Sequence, residues 1–429
     1  MIYNKDKNWP ETENVIFYTH FEKAMGEYLV RCAGCGSILP PHDLTCMEDN
    51  SLPRAEYAAQ QLELKDLPGI WRFYDWLPVT GIIAGASEGS VTYKSKALAS
   101  ELGLKNLYIS FSGYWKEQGA LMKTCSFKDL EAPPTIERLK ERGDGATLVV
   151  ASAGNTARAF AQVASIADQP LVLFVPQKAL DRMWITEELG PVTLIGVKGD
   201  YYDAIAVAEI VQSRLGFVPE GGARNIARRD GMGTVMLEGV LKMGRIPEHY
   251  FQAVGSGTGG ISAWEAGMRL AKDGRFGKNL PRLHLAQNIP NAPIYYAWTG
   301  LEPNAYSSEM FDDVLFNRRP PLDMAGGVKE ALLATGGRVY GVTDKEASTA
   351  KQLFEQCEEI DILNAPAVAV AALVQAVESS YVGTEDLILL NITGGGVSRV
   401  REDFALFTLQ PDIIISKGED AVEFLEGEL

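Results

Sequence analysis

The sequence predicts an α/β protein built on parallel sheets with helices on both faces, and three observations carry that prediction. Short apolar runs recur without the polar alternation of a half-exposed strand, as expected for strands buried on both faces. Helical patterns separate them, so that strand and helix alternate from about residue 80 onward. At three places an apolar run ends in small residues just before the next helical pattern, where sheets of this class carry their chemistry.

Taken in order, "NLYISFS" (106–112), "ATLVVAS" (146–152), "PLVLFVP" (170–176), "VTLIGVKG" (192–199), "YFQAVGSG" (250–257), "RLHLAQN" (282–288), "RVYGVT" (338–343) and "DLILLNITGGG" (386–396) read as buried strands. The stretches 155–167, 201–216 and 344–360 read as helices. The run "APAVAVAALVQAV" (365–377) is too short to cross a bilayer and carries Gln375, so it reads as a buried helix. Residues 1–75 are expected to form an N-terminal extension. Residues 76–145 with 250–429 should build a large domain, and 146–249 a smaller one.

The 429 residues, 46% hydrophobic and 22% charged, describe a globular chain. A net charge of −16, from 40 basic and 56 acidic residues, argues against a nucleic-acid binder but leaves room for a locally positive pocket. No basic segment followed by an apolar stretch marks the N-terminus, so neither export nor membrane insertion is expected. Five cysteines, an odd number, then read as thiols in a reducing cytoplasm.

The first small-residue turn is "ASAGNTARA" (151–159), where Asn155 is a helix N-cap or an amide donor to a ligand. The second, "GSGTGG" (255–260), joins a strand to a helix and offers Gly255, Ser256, Gly257, Thr258 and Gly259 as a backbone cradle for a phosphate. The third, "LNITGGGVSRV" (390–400), offers the hydroxyl of Thr393. To these "TCSFKDLEA" (124–132) adds Lys128, in a segment unlike a solvated helix face. A lysine amine, an amide, a phosphate cradle and a hydroxyl together are what pyridoxal phosphate requires.

With these motifs the chain resembles the threonine synthase-like branch of fold type II pyridoxal-phosphate enzymes, over roughly residues 30 to 400. The resemblance rests on "SFKD" (126–129), "SAGNT" (152–156), "GSGTGG", "TGGG" (393–396) and "RNIARRDGMGT" (224–234). It implies that Lys128 forms the Schiff base, Asn155 meets the ring oxygen, the glycine loop holds the cofactor phosphate and Thr393 faces the ring nitrogen. Arg228 takes the place of an arginine close to the substrate phosphate. Arg229 and Lys123 are possible helpers, and Ser152 and Thr156 candidates for the substrate carboxylate. None of His20, His42, His249 and His284 lies in a catalytic motif.

The chain departs from threonine synthases at "MKTCS" before the lysine segment, at "LEA" after it, and at Gly395, where they carry a histidine. These departures, with "CAGCG" (32–36), resemble instead the cysteate synthase family of methanogens. That family eliminates phosphate from O-phospho-L-serine and adds sulfite to the aminoacrylate, giving L-cysteate for coenzyme M. A homo-oligomer is implied by the fold type. Threonine synthase, a sulfide-using cysteine synthase and a catalytically silent binding protein are the alternatives. Cys32, Cys35 and Cys46, with His42 as a conceivable fourth ligand, read either as part of a zinc ribbon or as plain thiols.

Overall fold

The computed structural model describes residues 28–428 apart from 87, 304–306, 308 and 309. His20 and the N-terminal segment read above for an export signal lie outside the described residues. Two sheets organise the chain. The large sheet has six strands in the order Arg338–Val342, Arg282–Asn288, His249–Ala253, Leu387–Ile392, Asn106–Phe111 and Val91–Lys94. Its first five strands are parallel and only Val91–Lys94 runs antiparallel. The small sheet is parallel throughout, in the order Val218–Pro219, Leu148–Ala151, Leu171–Pro176, Val192–Val197 and Ile413–Ile415.

The central strands are apolar because helices cover both faces; Leu171–Pro176 and Leu387–Ile392 are buried at every position. Helix Asn364–Glu378 is likewise buried along most of its length and packs on the large sheet, as its apolar run predicts. Helix Tyr201–Leu215 starts at a capping box formed by Asp200 and Asp203 and stops at Gly216, whose positive φ of 68° suits a residue without a Cβ.

The C-terminal end departs from the expected division, which gave 250–429 to the large domain. Ile413–Ile415 pairs with Val192–Val197 as the edge strand of the small sheet, Ile195 opposite Ile413. Asp412 fixes the register: its carboxylate accepts from the Leu194 N–H at 2.8 Å, and its own N–H donates to the Leu194 carbonyl at 2.8 Å. Helix Gly418–Glu428 then packs against Tyr201–Leu215, burying Ala421 and Leu425 beside Val207 and Val211. The N-terminal hairpin Tyr28–Cys32 with Pro53–Tyr57 is no free appendage, because Arg54 pairs with Glu265 at 3.1 Å. Among the described residues no helix is long and apolar enough to cross a membrane.

The starts of the large-sheet strands hold a buried polar chain far from the glycine turns. Tyr340 Oη lies 2.7 Å from His284 Nδ1, His284 Nε2 lies 2.8 Å from His249 Nδ1, and His249 Nε2 lies 3.1 Å from Asp386. Burial, then the neighbouring His249 and Arg338, hold the His284 pKa down at about 2. An unfolded histidine titrates near ~6.5, so between those values the unfolded chain binds more protons and acid lowers stability. Between pH 7 and 5 this one group should remove about 2 kcal/mol. Urea unfolding of wild type and His284→Gln at both pH values checks it: the variant's acid-induced loss should be smaller by about that amount.

Candidate active site

The carboxyl ends of both sheets open into one cavity of about 480 Å³. All three small-residue turns reach it, and so does Lys128. Phe127–Leu130 is a single tight turn whose first N–H groups are held from two sides. Ser126 Oγ accepts from the Lys128 N–H at 3.4 Å, and the Phe127 N–H donates to the Thr393 carbonyl at 3.0 Å. A bridge between Ser126 and Gly394 continues that contact, so the lysine turn and the Thr393 turn are stitched together. Gly394 must lack a side chain for this, since a Cβ would press on the Cys125 carbonyl at 2.6 Å. A Cβ at Gly395 would collide with the Asp361 carbonyl, which explains why a bulky residue has no room there.

The glycine loop fits an anion for reasons visible in the backbone. Helix Thr258–Asp273 begins behind it; Gly257, its N-cap residue, offers no side chain, and Ser256 Oγ accepts from the Thr258 N–H at 3.4 Å. The other first-turn N–H groups of this 16-residue helix, at the edge of the cavity, form an anion site. Gly257 has φ +83°, and side chains at Gly257 and Gly259 would run into Val328 and Gln252. Helix Asn155–Ala167 presents a second N-terminus to the same cavity, beside Ser152 and Thr156. Asn155 is its first helical residue rather than its N-cap. Its amide oxygen accepts from Arg158 at 3.1 Å, so its NH₂ is the end available to donate into the cavity.

A buried charge cluster occupies the wall behind Lys128. Glu131, fully buried, takes the Lys128 ammonium at 3.3 Å on one oxygen and Arg228 at 2.6 Å on the other. Glu220 binds the opposite end of Arg228. Burial works against the Arg228 charge, but the two carboxylates outweigh it and raise the pKa. For Lys128 burial dominates and lowers the pKa; Glu131 opposes the shift and Arg228 adds to it. Tyr201 also lines the cavity, and burial followed by Glu220 pushes its hydroxyl up to about 12, so it remains a proton donor.

Two residues read as substrate helpers are placed elsewhere. Lys123 pairs with Glu187 at 2.8 Å outside the cavity lining. Arg229 is wholly buried, bound to Glu265 at 2.9 Å and to the Pro53 carbonyl, where it fastens the N-terminal hairpin. Successive helical residues point ~100° apart, so only one of the Arg228–Arg229 pair faces the cavity. Cys125 is also buried away from it, beside Tyr114, Trp184 and Val400. Glu131, Glu220, Tyr201 and Arg224 line or back the cavity without having been singled out in the sequence. The change from a threonine synthase pattern to "LEA" was the one visible signal, and it marks Glu131.

An amine, an amide, a hydroxyl and a glycine cradle around one cavity define a pyridoxal-phosphate enzyme of fold type II. The pattern of the family described as pyridoxal-phosphate dependent enzymes matches residues 93–394. Maize serine racemase shares the fold, with a TM-score of 0.57 at 16% identity, over 73% of this chain and 91% of that one. So does threonine deaminase isoform 2 from Solanum lycopersicum, with a TM-score of 0.55 at 18% identity, over 73% and 87%. The chain belongs to the cysteate synthase family: it is 57% identical to cysteate synthase from Methanothrix thermoacetophila over 94% of its own length and 99% of that protein's. Cysteate synthase from Methanococcoides burtonii is 55% identical over 93% and 96%.

Proposed function

We propose that the protein replaces the phosphate of O-phospho-L-serine with sulfite, releasing L-cysteate, with Lys128 as its catalytic residue. The observation that supports this most is family membership at 57% identity along nearly the whole chain. The cavity agrees with it, since both substrates are strongly anionic and Arg228 and Arg224 face the space beside Lys128. When bound, the cofactor supplies the electron sink that makes the substrate's α-proton acidic and its β-substituent a leaving group. Lys128 Nζ would anchor it, the helix behind Gly255–Gly259 would hold its phosphate, and Asn155 and Thr393 would orient the ring. As a free amine, Lys128 takes the α-proton and later returns it; burial, which lowers its pKa, favours that uncharged amine. Ser152, Thr156 and the second helix N-terminus bind the substrate carboxylate, while Arg228 with Arg224 receives its phosphate.

The same reading makes the protein a homo-oligomer working in the cytoplasm, with small anions rather than nucleic acid or lipid as its partners. Incubating holoenzyme with phosphoserine and sulfite should release cysteate and phosphate in equal amounts. Higher kcat/KM for phosphohomoserine with release of threonine, or for sulfide with release of cysteine, would overturn the substrate assignment.

A further inference from the structure

The cysteines of the N-terminal hairpin form a second, separate site. Cys32 and Cys35 sit on a tight turn closed by Gly36 at φ +78°, with the Gly36 N–H donating to the Cys32 carbonyl. Cys46 and Asp49 sit on a second turn of the same design, closed by Asn50 at φ +58°, whose N–H donates to the Cys46 carbonyl. The spacing is therefore Cys-x-x-Cys-Gly followed by Cys-x-x-Asp-Asn, two equivalent knuckles with aspartate in the fourth ligand position. His42, the fourth ligand considered from sequence, faces Arg138 and Arg142 instead.

We propose that Cys32, Cys35, Cys46 and Asp49 bind one structural zinc ion. Their ligand atoms all lie within 4.8 Å of one another. Cys35 Sγ is 3.6 Å from Cys46 Sγ, and Cys32 Sγ is 3.4 Å from Asp49 Oδ1. A tetrahedron with Zn–S of ~2.3 Å and Zn–O of ~2.0–2.2 Å needs edges of about 3.5–3.8 Å. The Gly34 and Cys35 N–H groups donate to Cys32 Sγ at 3.3 and 3.4 Å, as a thiolate requires. The Ser51 N–H holds Asp49 Oδ1 at 3.0 Å, and Gly34 leaves room for that carboxylate because a side chain there would strike it. Four protein ligands close the site, and none of them lines the catalytic cavity, so the ion is a staple and not a reactant. It braces the cavity wall through the residue before Cys46: Thr45 Oγ1 accepts from Arg224 at 2.6 Å, and Leu44 packs on Gly221.

The test is metal analysis of holoenzyme purified under reducing conditions, followed by cobalt substitution. About one zinc per chain is expected, and cobalt should give the intense visible bands of a tetrahedral thiolate site. Asp49→Cys keeps a complete ligand set and should raise the thiolate-to-cobalt charge-transfer absorbance by about a third, from three sulfurs to four. Cys46→Ser should lower zinc content at least tenfold, while His42→Ala and Cys357→Ser retain it. Wild-type protein without stoichiometric zinc, or a Cys35–Cys46 disulfide in freshly isolated protein, overturns the proposal. So does an Asp49→Cys cobalt spectrum identical to that of wild type.

Discussion

Replacing Lys128 with alanine should abolish cysteate formation, lowering kcat by at least ~10³-fold, because the cofactor anchor and the proton carrier are lost together. Cofactor added to the purified variant should also fail to give the visible band that borohydride bleaches. Peptide mapping of reduced wild-type enzyme should find the pyridoxyl group on Lys128. Lys123 is the internal control: it is five residues away and paired with Glu187 at the surface, so Lys123→Ala should leave both the band and the rate within about twofold. A pyridoxyl group on Lys123 would sink the assignment. Lys128→Arg sharpens the test by keeping a positive charge beside Glu131 while offering no amine that can give up its proton. A loss as severe as in Lys128→Ala separates the chemistry of the amine from its electrostatics.

Much of this arrangement was legible in the sequence because parallel strands buried on both faces leave continuous apolar runs, and because a strand must turn through small residues to aim a helix N-terminus. Asn155–Ala167 and Arg282–Asn288 match their predicted limits residue for residue. What stayed hidden depends on distant pairing. Ile413–Ile415 is three residues long, and only the exposed edge of Val192–Val197 tells it which sheet to join. Arg228 and Arg229 are neighbours in the chain, and the helical turn alone sends one to the cavity and the other to Pro53. Asp49 was missed because a carboxylate in a knuckle looks like any surface acid until Cys46 is seen beside it. Glu131 was missed for the opposite reason, since a glutamate is expected at the surface unless its cations are known.

That buried glutamate changes what Arg228 variants should do. Arg228→Ala leaves Glu131 and Glu220 facing one ammonium, and breaking such a pair by removing one partner costs about 3–5 kcal/mol. The single variant is therefore expected to melt earlier as well as to lose phosphoserine use, and the two effects have to be separated. Adding Glu220→Gln removes one of the stranded charges, so the double variant should recover much of the stability without regaining the substrate contact. Loss of a charge-assisted bond worth about 1.5–3 kcal/mol predicts a KM for phosphoserine raised roughly 10- to 150-fold in that double variant. The pH dependence supplies an independent sign. Arg228 lowers the Lys128 pKa and Glu131 raises it, so Arg228→Ala should move the amine's titration to higher pH and Glu131→Gln to lower pH. Following the rate of visible-band formation from apoenzyme and cofactor against pH reads both shifts without relying on turnover. If the double variant uses phosphoserine as wild type does, the substrate phosphate rests on Arg224 instead, and Arg228 serves only to neutralise the two carboxylates around Lys128.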